Sequence, residues 1–288
     1  TENNATINCW GVSNTSLNYY ETGRPGNCFY QIQSEETNNY ILTVDVANST
    51  ISVLLNNLYF ADSNSEFKFV QMTDEGIRVF SHKGYFPAGD AFTFAATAGW
   101  PTTIAPGEGD AIFGLASYSN NTLKFGSGCT MKNTFAGYYT VSADLNNNTF
   151  KTRTYNPDPI EKLYVACNGN YNEMTAEEDG TFVWGGDLAG SFMITPQTEA
   201  YPCYIPAQED VAVPATGITG GEMAFNITDA NNINHKWTID NAGKYTVTVN
   251  PETMTVNVTK GYTTGIDEIN VDNNDFPTAF YDLYGRKV

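Results

Sequence analysis

The stretch Ala98-Gly99-Trp100-Pro101-Thr102-Thr103 sets one indole between a glycine and a proline. A second stretch, around Tyr201, Pro202 and Tyr204, sets two phenols around a proline. Gly and Pro take such rings out of strand alternation and hold them on loops, where rigid β scaffolds carry their binding residues. A flat aromatic face can stack on the apolar C–H face of a pyranose, and nearby Lys, Arg, Asn, Gln or Asp groups can read its hydroxyls. Trp100, Tyr201 and Tyr204 are therefore the first candidates for carbohydrate binding. Trp10 is the equivalent near the N-terminus, some 30 residues before Tyr40. Trp184 is a further candidate, although Thr181-Phe-Val-Trp184 alternates as a strand does. Trp237 reads as core, because Ile239 continues its alternation.

Other chemistries find less support. There are 32 Asp and Glu residues, but nothing singles out the pair across a cleft that glycoside hydrolysis requires. His82 and His235, the only two histidines, have no Ser or Cys signature beside them for a nucleophilic triad. The five cysteines (Cys9, Cys28, Cys129, Cys167 and Cys203) include no CxxC, and neither histidine lies close to a Cys pair, which argues against zinc. Cys9 and Cys28 could bridge or remain free buried thiols. Asp62-Ser-Asn64-Ser-Glu66 has carboxylates at calcium-loop spacing but lacks the glycine and the distal glutamate. No catalytic residue, metal ligand or cofactor is assigned. A net charge of −18 with 14 basic residues argues against nucleic acid and anionic membranes as partners.

The elements that position these loops repeat. Tyr40-Ile-Leu-Thr-Val-Asp45-Val-Ala-Asn-Ser-Thr50 returns at Tyr139–Thr149 and again at Tyr245–Thr255, with Tyr, Asp or Asn, and Thr at constant spacing. Alternating β-branched residues on either side of a polar turn predict a hairpin in each copy. Residues fixed across repeats point to the fold, so Tyr40, Tyr139 and Tyr245 read as structural. Upstream, Leu58-Tyr59-Phe60 matches Leu163-Tyr164-Val165, Met72 matches Met174, and Trp100-Pro101 matches Tyr201-Pro202. A period of about 100 residues is too long for a solenoid unit and predicts tandem domains. The expected class is all-β, with tandem antiparallel β-sandwiches of immunoglobulin-like or carbohydrate-binding-module-like type. The expected spans are a partial N-terminal module over 1–56, repeats over 57–155 and 156–262, and a truncated β segment over 263–288. Asn156-Pro157-Asp158-Pro159 reads as a stiff linker that limits the swing between repeats.

The span from Leu163 to Val258 resembles the repeated domain of the SusE/SusF-type outer-membrane starch-binding proteins of Bacteroidetes. Leu163-Tyr164-Val165, Gly180-Thr-Phe182-Val-Trp184, Leu188-Ala189-Gly190-Ser-Phe192 and Lys236-Trp237 through Ala242-Gly243-Lys-Tyr245 carry the resemblance. Leu58 to Thr152 shows the same frame more weakly. The resemblance implies tandem sandwiches, no catalysis, glucan-like ligands held by aromatic side chains, and a glycan-uptake complex at the outer membrane. Such domains commonly follow the opening strand with a Gly-Trp loop. Ala61–Asn64 and Cys167–Tyr171 occupy that region here without a Trp, which turns attention to the later loops. The tail Phe280-Tyr-Asp-Leu-Tyr-Gly285-Arg-Lys-Val288 resembles the first half of a type IX sorting module and implies export. The expectation is thus a non-catalytic extracellular or outer-membrane protein that captures a neutral polysaccharide. The alternative is a structural or adhesive surface protein whose repeats are spacers or assemble by strand addition.

Overall fold

The computed structural model describes residues 9–13, 16–20, 40–96, 98, 103–106, 112–115, 122–125 and 130–261. The regular elements among them are strands, apart from a 3-10 turn at Asp229–Asn231. The expected sorting tail over 263–288 lies outside the described residues. Strands β1 (Cys9–Ser13), β2 (Ser16–Tyr20), β3 (Tyr40–Asp45) and β4 (Thr50–Leu55) form an antiparallel sheet in the order β1-β2-β4-β3.

The next strands are β5 (Tyr59–Asp62), β6 (Val70–Gln71), β7 (Thr73–Gly76), β8 (Val79–Phe86), β9 (Ala91–Ala95), β10 (Thr103–Pro106), β11 (Ile112–Phe113), β12 (Leu123–Phe125), β13 (Met131–Asn133), β14 (Gly137–Asp144) and β15 (Thr149–Thr154). Two sheets result. One runs β11-β13-β9-β10-β12, with β5 also on β9 and β6 on β5; the other runs β15-β14-β8-β7. Phe60, Phe80, Phe86, Phe92, Phe113, Tyr139 and Phe150 fill the space between them. Their rings meet edge to face, as at Phe86–Phe92 (5.8 Å, 77°) and Phe113–Tyr139 (5.0 Å, 82°), the geometry that aromatic quadrupoles favour.

His82 shares that inner face. It stacks on Phe60 at 4.1 Å, and burial lowers its pKa from 6.5, partly opposed by the charge of Asp62. A histidine held neutral by the fold must lose that preference to take up a proton. Its contribution to stability is therefore complete above about 6.5 and is lost as pH falls through the lower, folded value. Urea unfolding should show wild-type stability dropping between pH 7.5 and 5.5 by more than in His82→Phe, which keeps an aromatic ring on Phe60 and cannot titrate.

The last strands are β16 (Tyr164–Cys167), β17 (Asn170–Glu173), β18 (Thr175–Ala176), β19 (Phe182–Thr195), β20 (Cys203–Pro206), β21 (Val211–Val213), β22 (Ile218–Asn226), β23 (Trp237–Asn250) and β24 (Thr255–Lys260). The pairings β19–β20–β22–β24–β23 close on themselves, because β23 also pairs with β19. Both long strands have 14 residues. Strand β19 passes from one face to the other through a register shift between Leu188 and Gly190, where Gly190 takes φ +71°. Closure leaves few free edges. Trp237 is buried in the interior and stacks on Phe192 at 5.5 Å.

The three repeated stretches all form hairpins: β3–β4, β14–β15 and β23–β24. In each, the first side chain of the turn caps a backbone N–H. Asn48 N–H donates to Asp45, Asn146 and Asn147 N–H to Asp144, and Thr253 N–H to Asn250. Each turn then ends in a left-handed residue, Ser49, Asn148 or Met254. Two of the fixed tyrosines are buried and donate four residues back along the chain. Tyr139 reaches the Phe135 carbonyl at 3.1 Å, and Tyr245 reaches that of Asn241 at 2.7 Å. This is the arrangement of a tyrosine corner.

The second and third modules pack directly on one another. Leu115, Cys203, Ile205, Ala224 and Ile233 form a shared apolar seam. The amide of Asn231 pairs with both backbone groups of Ala136, accepting from its N–H at 3.0 Å and donating to its carbonyl at 2.8 Å. Phe225 N–H donates to Thr154 Oγ1 at 2.7 Å. The stiff linker is therefore only part of what holds the two modules; the seam restrains them as well. Asn231→Ala leaves backbone groups of Ala136 without that partner and should weaken module coupling by about 1–3 kcal/mol. In calorimetry the two modules should then melt further apart than in the wild type.

Candidate binding site

Strands β16 and β17 are joined by Asn168-Gly169, with φ +50° and +78°, the left-handed pair of a tight hairpin turn. Tyr171 stands opposite Ala166 on the neighbouring strand, and Ala166 stands opposite Met193 on β19. A small residue between two large ones opens a hollow. It measures about 170 Å³ and is lined by Asn168, Asn170, Tyr171, Ser191, Met193 and Lys236, among others. Tyr171 and Lys236 are half-buried, whereas Asn168, Asn170 and Ser191 are exposed.

The hollow is braced from below. Asn168 Nδ2 donates to the Ala189 carbonyl at 3.2 Å, and Cys167 Sγ lies 3.4 Å from the same oxygen. Ser191 Oγ meets Thr238 Oγ1 at 3.2 Å. The backbone N–H of Lys236 donates to Asp210 at 2.8 Å, which fixes the start of the lysine side chain. Its volume is below the ~300–1,000 Å³ of sites that enclose a small molecule. It suits one ring of a longer chain, resting against a phenol with amide, hydroxyl and ammonium groups around it. Of the cysteines whose side chains are described, Cys167 and Cys203 are free and buried, and burial pushes the Cys203 thiol up to about 12.

Three of the residues singled out from the sequence, Tyr201, Tyr204 and Trp184, fall elsewhere. Tyr204 is 0% exposed and tilts against Phe225 at 4.9 Å inside the third module. Strand β20 is buried on both faces: Cys203 and Ile205 face the seam while Tyr204 faces the core. Tyr204 therefore has no face for a ligand, which corrects its assignment as a loop aromatic. Its hydroxyl finds no hydrogen-bond partner among the described residues; burial pushes the phenol up, partly opposed by Asn156. Tyr201 is half-buried against the seam. Trp184 is half-buried against the third core, its ring laid over Gly186 so closely that a Cβ there would lie 2.3 Å from it. Trp10 lies on β1, but its side chain is outside the described residues, as is the whole of Trp100. Tyr201, Tyr204 and Trp184 do not line the hollow.

Sequence reasoning passed over Tyr171 and Lys236 because the Cys167–Tyr171 region has no Trp. The available signal was the Asn168-Gly169 pair between two short alternating runs, with a tyrosine just beyond it. The calcium-like stretch has a plainer use. Its turn is tied to buried Asp90, which accepts from Ser63 Oγ and from Asn64 N–H, and burial raises the Asp90 carboxyl. No three His, Cys, Asp or Glu side chains converge as metal ligands among the described residues.

No family model and no curated protein matches the sequence. The crystal structure of SusF from Bacteroides thetaiotaomicron is similar over 72% of this chain, with 14% identity and a TM-score of 0.39. The similarity covers 48% of the SusF chain, so this chain spans about half the length of that one.

Proposed function

We propose that this is a non-catalytic glycan-binding protein of the cell surface or medium, and that it captures a neutral, glucan-like polysaccharide at the 168–171 turn. The observation that carries this reading is the hollow between Tyr171 and Met193, rimmed by Asn168, Ser191 and Lys236. It combines one aromatic wall with amide, hydroxyl and ammonium groups on a braced hairpin. The resemblance of residues 163–258 to SusE/SusF-type domains supports the same ligand class. That resemblance is also the ground for a surface location and for work beside a glycan-uptake complex. Trp100 remains the proposed contact of the second module. One shallow site should bind weakly, and a second site on the same chain would add avidity.

The spacer reading retains one observation in its favour: Tyr204 is core and Tyr201 lies against the seam, so the loop once expected to bind serves packing. Native electrophoresis in gels containing glycogen, amylopectin, dextran or β-glucan separates the two readings. Retardation in at least one neutral glucan supports capture. Unchanged mobility in all of them overturns it and leaves the spacer.

A further inference from the structure

Strands β8, β14 and β15 turn one face inward onto the aromatic core; the opposite face carries an ordered set of rings and cations. Tyr85, Tyr138 and Tyr155 form a ladder across it, with ring centroids 5.4 and 6.0 Å apart. Directly beside the ladder, Lys83 and Arg153 both stand opposite Thr140 on the strand between them. Two strand spacings place their backbones about 10 Å apart, within joint reach of one charged group. Lys151, opposite Ser142, extends the row. Lys83 Nζ lies 5.6 Å from the centre of the Tyr155 ring.

This face borders a groove of about 720 Å³ that runs along edge strand β15 to the third module. Lys83, Lys151 and Arg153 are exposed, and none forms an ion pair with a carboxylate among the described residues. The chain has only 14 basic residues against 32 acidic ones, so three cations on one groove wall are a local reversal of its charge. Glu222 and Glu252 line the groove as well and come from the third module. They confine an anion to the side of β14 and β15.

We propose that this groove is a second binding site, for a glycan bearing carboxylate or sulfate groups. A sugar face stacks on Tyr155, the ring of the ladder that lines the groove, and Lys83, Lys151 and Arg153 hold the acidic substituents. The charge of −18 repels a long polyanion, but at physiological salt that repulsion is screened beyond about 8 Å, while the three lysine and arginine contacts act at short range. An oligosaccharide with spaced acidic groups fits both conditions, and nucleic acid does not. The site is separate from the 168–171 turn and does not depend on the reading given above.

Calorimetric titration of the whole chain tests it, with hexagalacturonate as the carboxylate probe, a chondroitin sulfate hexasaccharide as the sulfate probe, and maltohexaose as the neutral control. Binding of at least one acidic probe is expected, weakened tenfold or more in Lys83→Ala with Arg153→Ala and in Tyr155→Ala. Tyr171→Ala should leave that binding unchanged. Thermal melting of each variant confirms that it remains folded, since Lys83 and Arg153 are exposed. Which acidic probe binds identifies the source of the charge. The proposal is overturned if neither acidic probe binds, if the double variant binds as the wild type does, or if maltohexaose displaces the acidic probe equally well.

Discussion

Trp237→Ala should remove about 3–5 kcal/mol from the third module, the cost of deleting a large buried aromatic side chain. Trp237 is 1% exposed. It sits at the start of β23, opposite Phe192 on β19 and beside Val211 on β21 in parallel pairing. Its ring stacks on Phe192 at 25°. Losing it opens a cavity at one end of the antiparallel pairing of β19 and β23, the pairing that closes the sheet. Trp237→Phe keeps part of the stack and should cost less. Urea denaturation followed by far-UV circular dichroism measures both. A loss under about 1 kcal/mol for the alanine variant would mean that the core does not converge on this residue.

The second large effect concerns binding. Tyr171→Ala should weaken glucan affinity tenfold or more, about 1.4 kcal/mol. The phenol is one wall of the hollow, and Ala166 beside it is too small to replace the lost surface. Tyr171→Phe keeps the stacking face and should lose little. Lys236→Met keeps most of the aliphatic stem but removes the ammonium donors, so it should weaken binding with little change in stability. Tyr204→Phe should leave affinity untouched, because the ring is enclosed in the core. Titration with maltoheptaose measures all four. Equal affinity in wild type and Tyr171→Ala would remove the ring from the site.

The hairpins were legible because two local signals agree in each copy. Strand alternation is strict in the second and third copies, as in Tyr245, Val247 and Val249, and every turn opens on Asp or Asn. Both signals are properties of neighbouring residues, so no long-range information is needed. Tyr204 was illegible for the opposite reason. Pro202 and Pro206 bracket it and suggest a loop, while burial on both faces of β20 arises only when a second module docks. Nothing near Asn231 marks it as the partner of Ala136, 95 residues away. The direct packing of the two modules was therefore invisible.

The site was half legible. The proposed ligand class rests on the scarcity of basic residues, the aromatic content and the family resemblance, whereas the proposed position rests on strand pairing. The search fixed on tryptophan and on rings flanked by proline. The hollow instead uses a tyrosine on a strand, a small residue beside it and a lysine that immediately precedes a distant strand. Tyr171 and Lys236 are 65 positions apart in sequence, and only the pairing of β16, β19 and β23 brings them together. The tyrosine ladder was hidden for the same reason, since its rings come from β8, from β14 and from the residue that follows β15.

The most direct test of the central claim is amide hydrogen exchange of the whole chain with and without saturating maltoheptaose. The account predicts added protection concentrated at residues 166–171, 191–193 and 236–238, the strands and turn around the hollow. Protection centred on residues 201–206 instead, or no change anywhere in the third module, would contradict it.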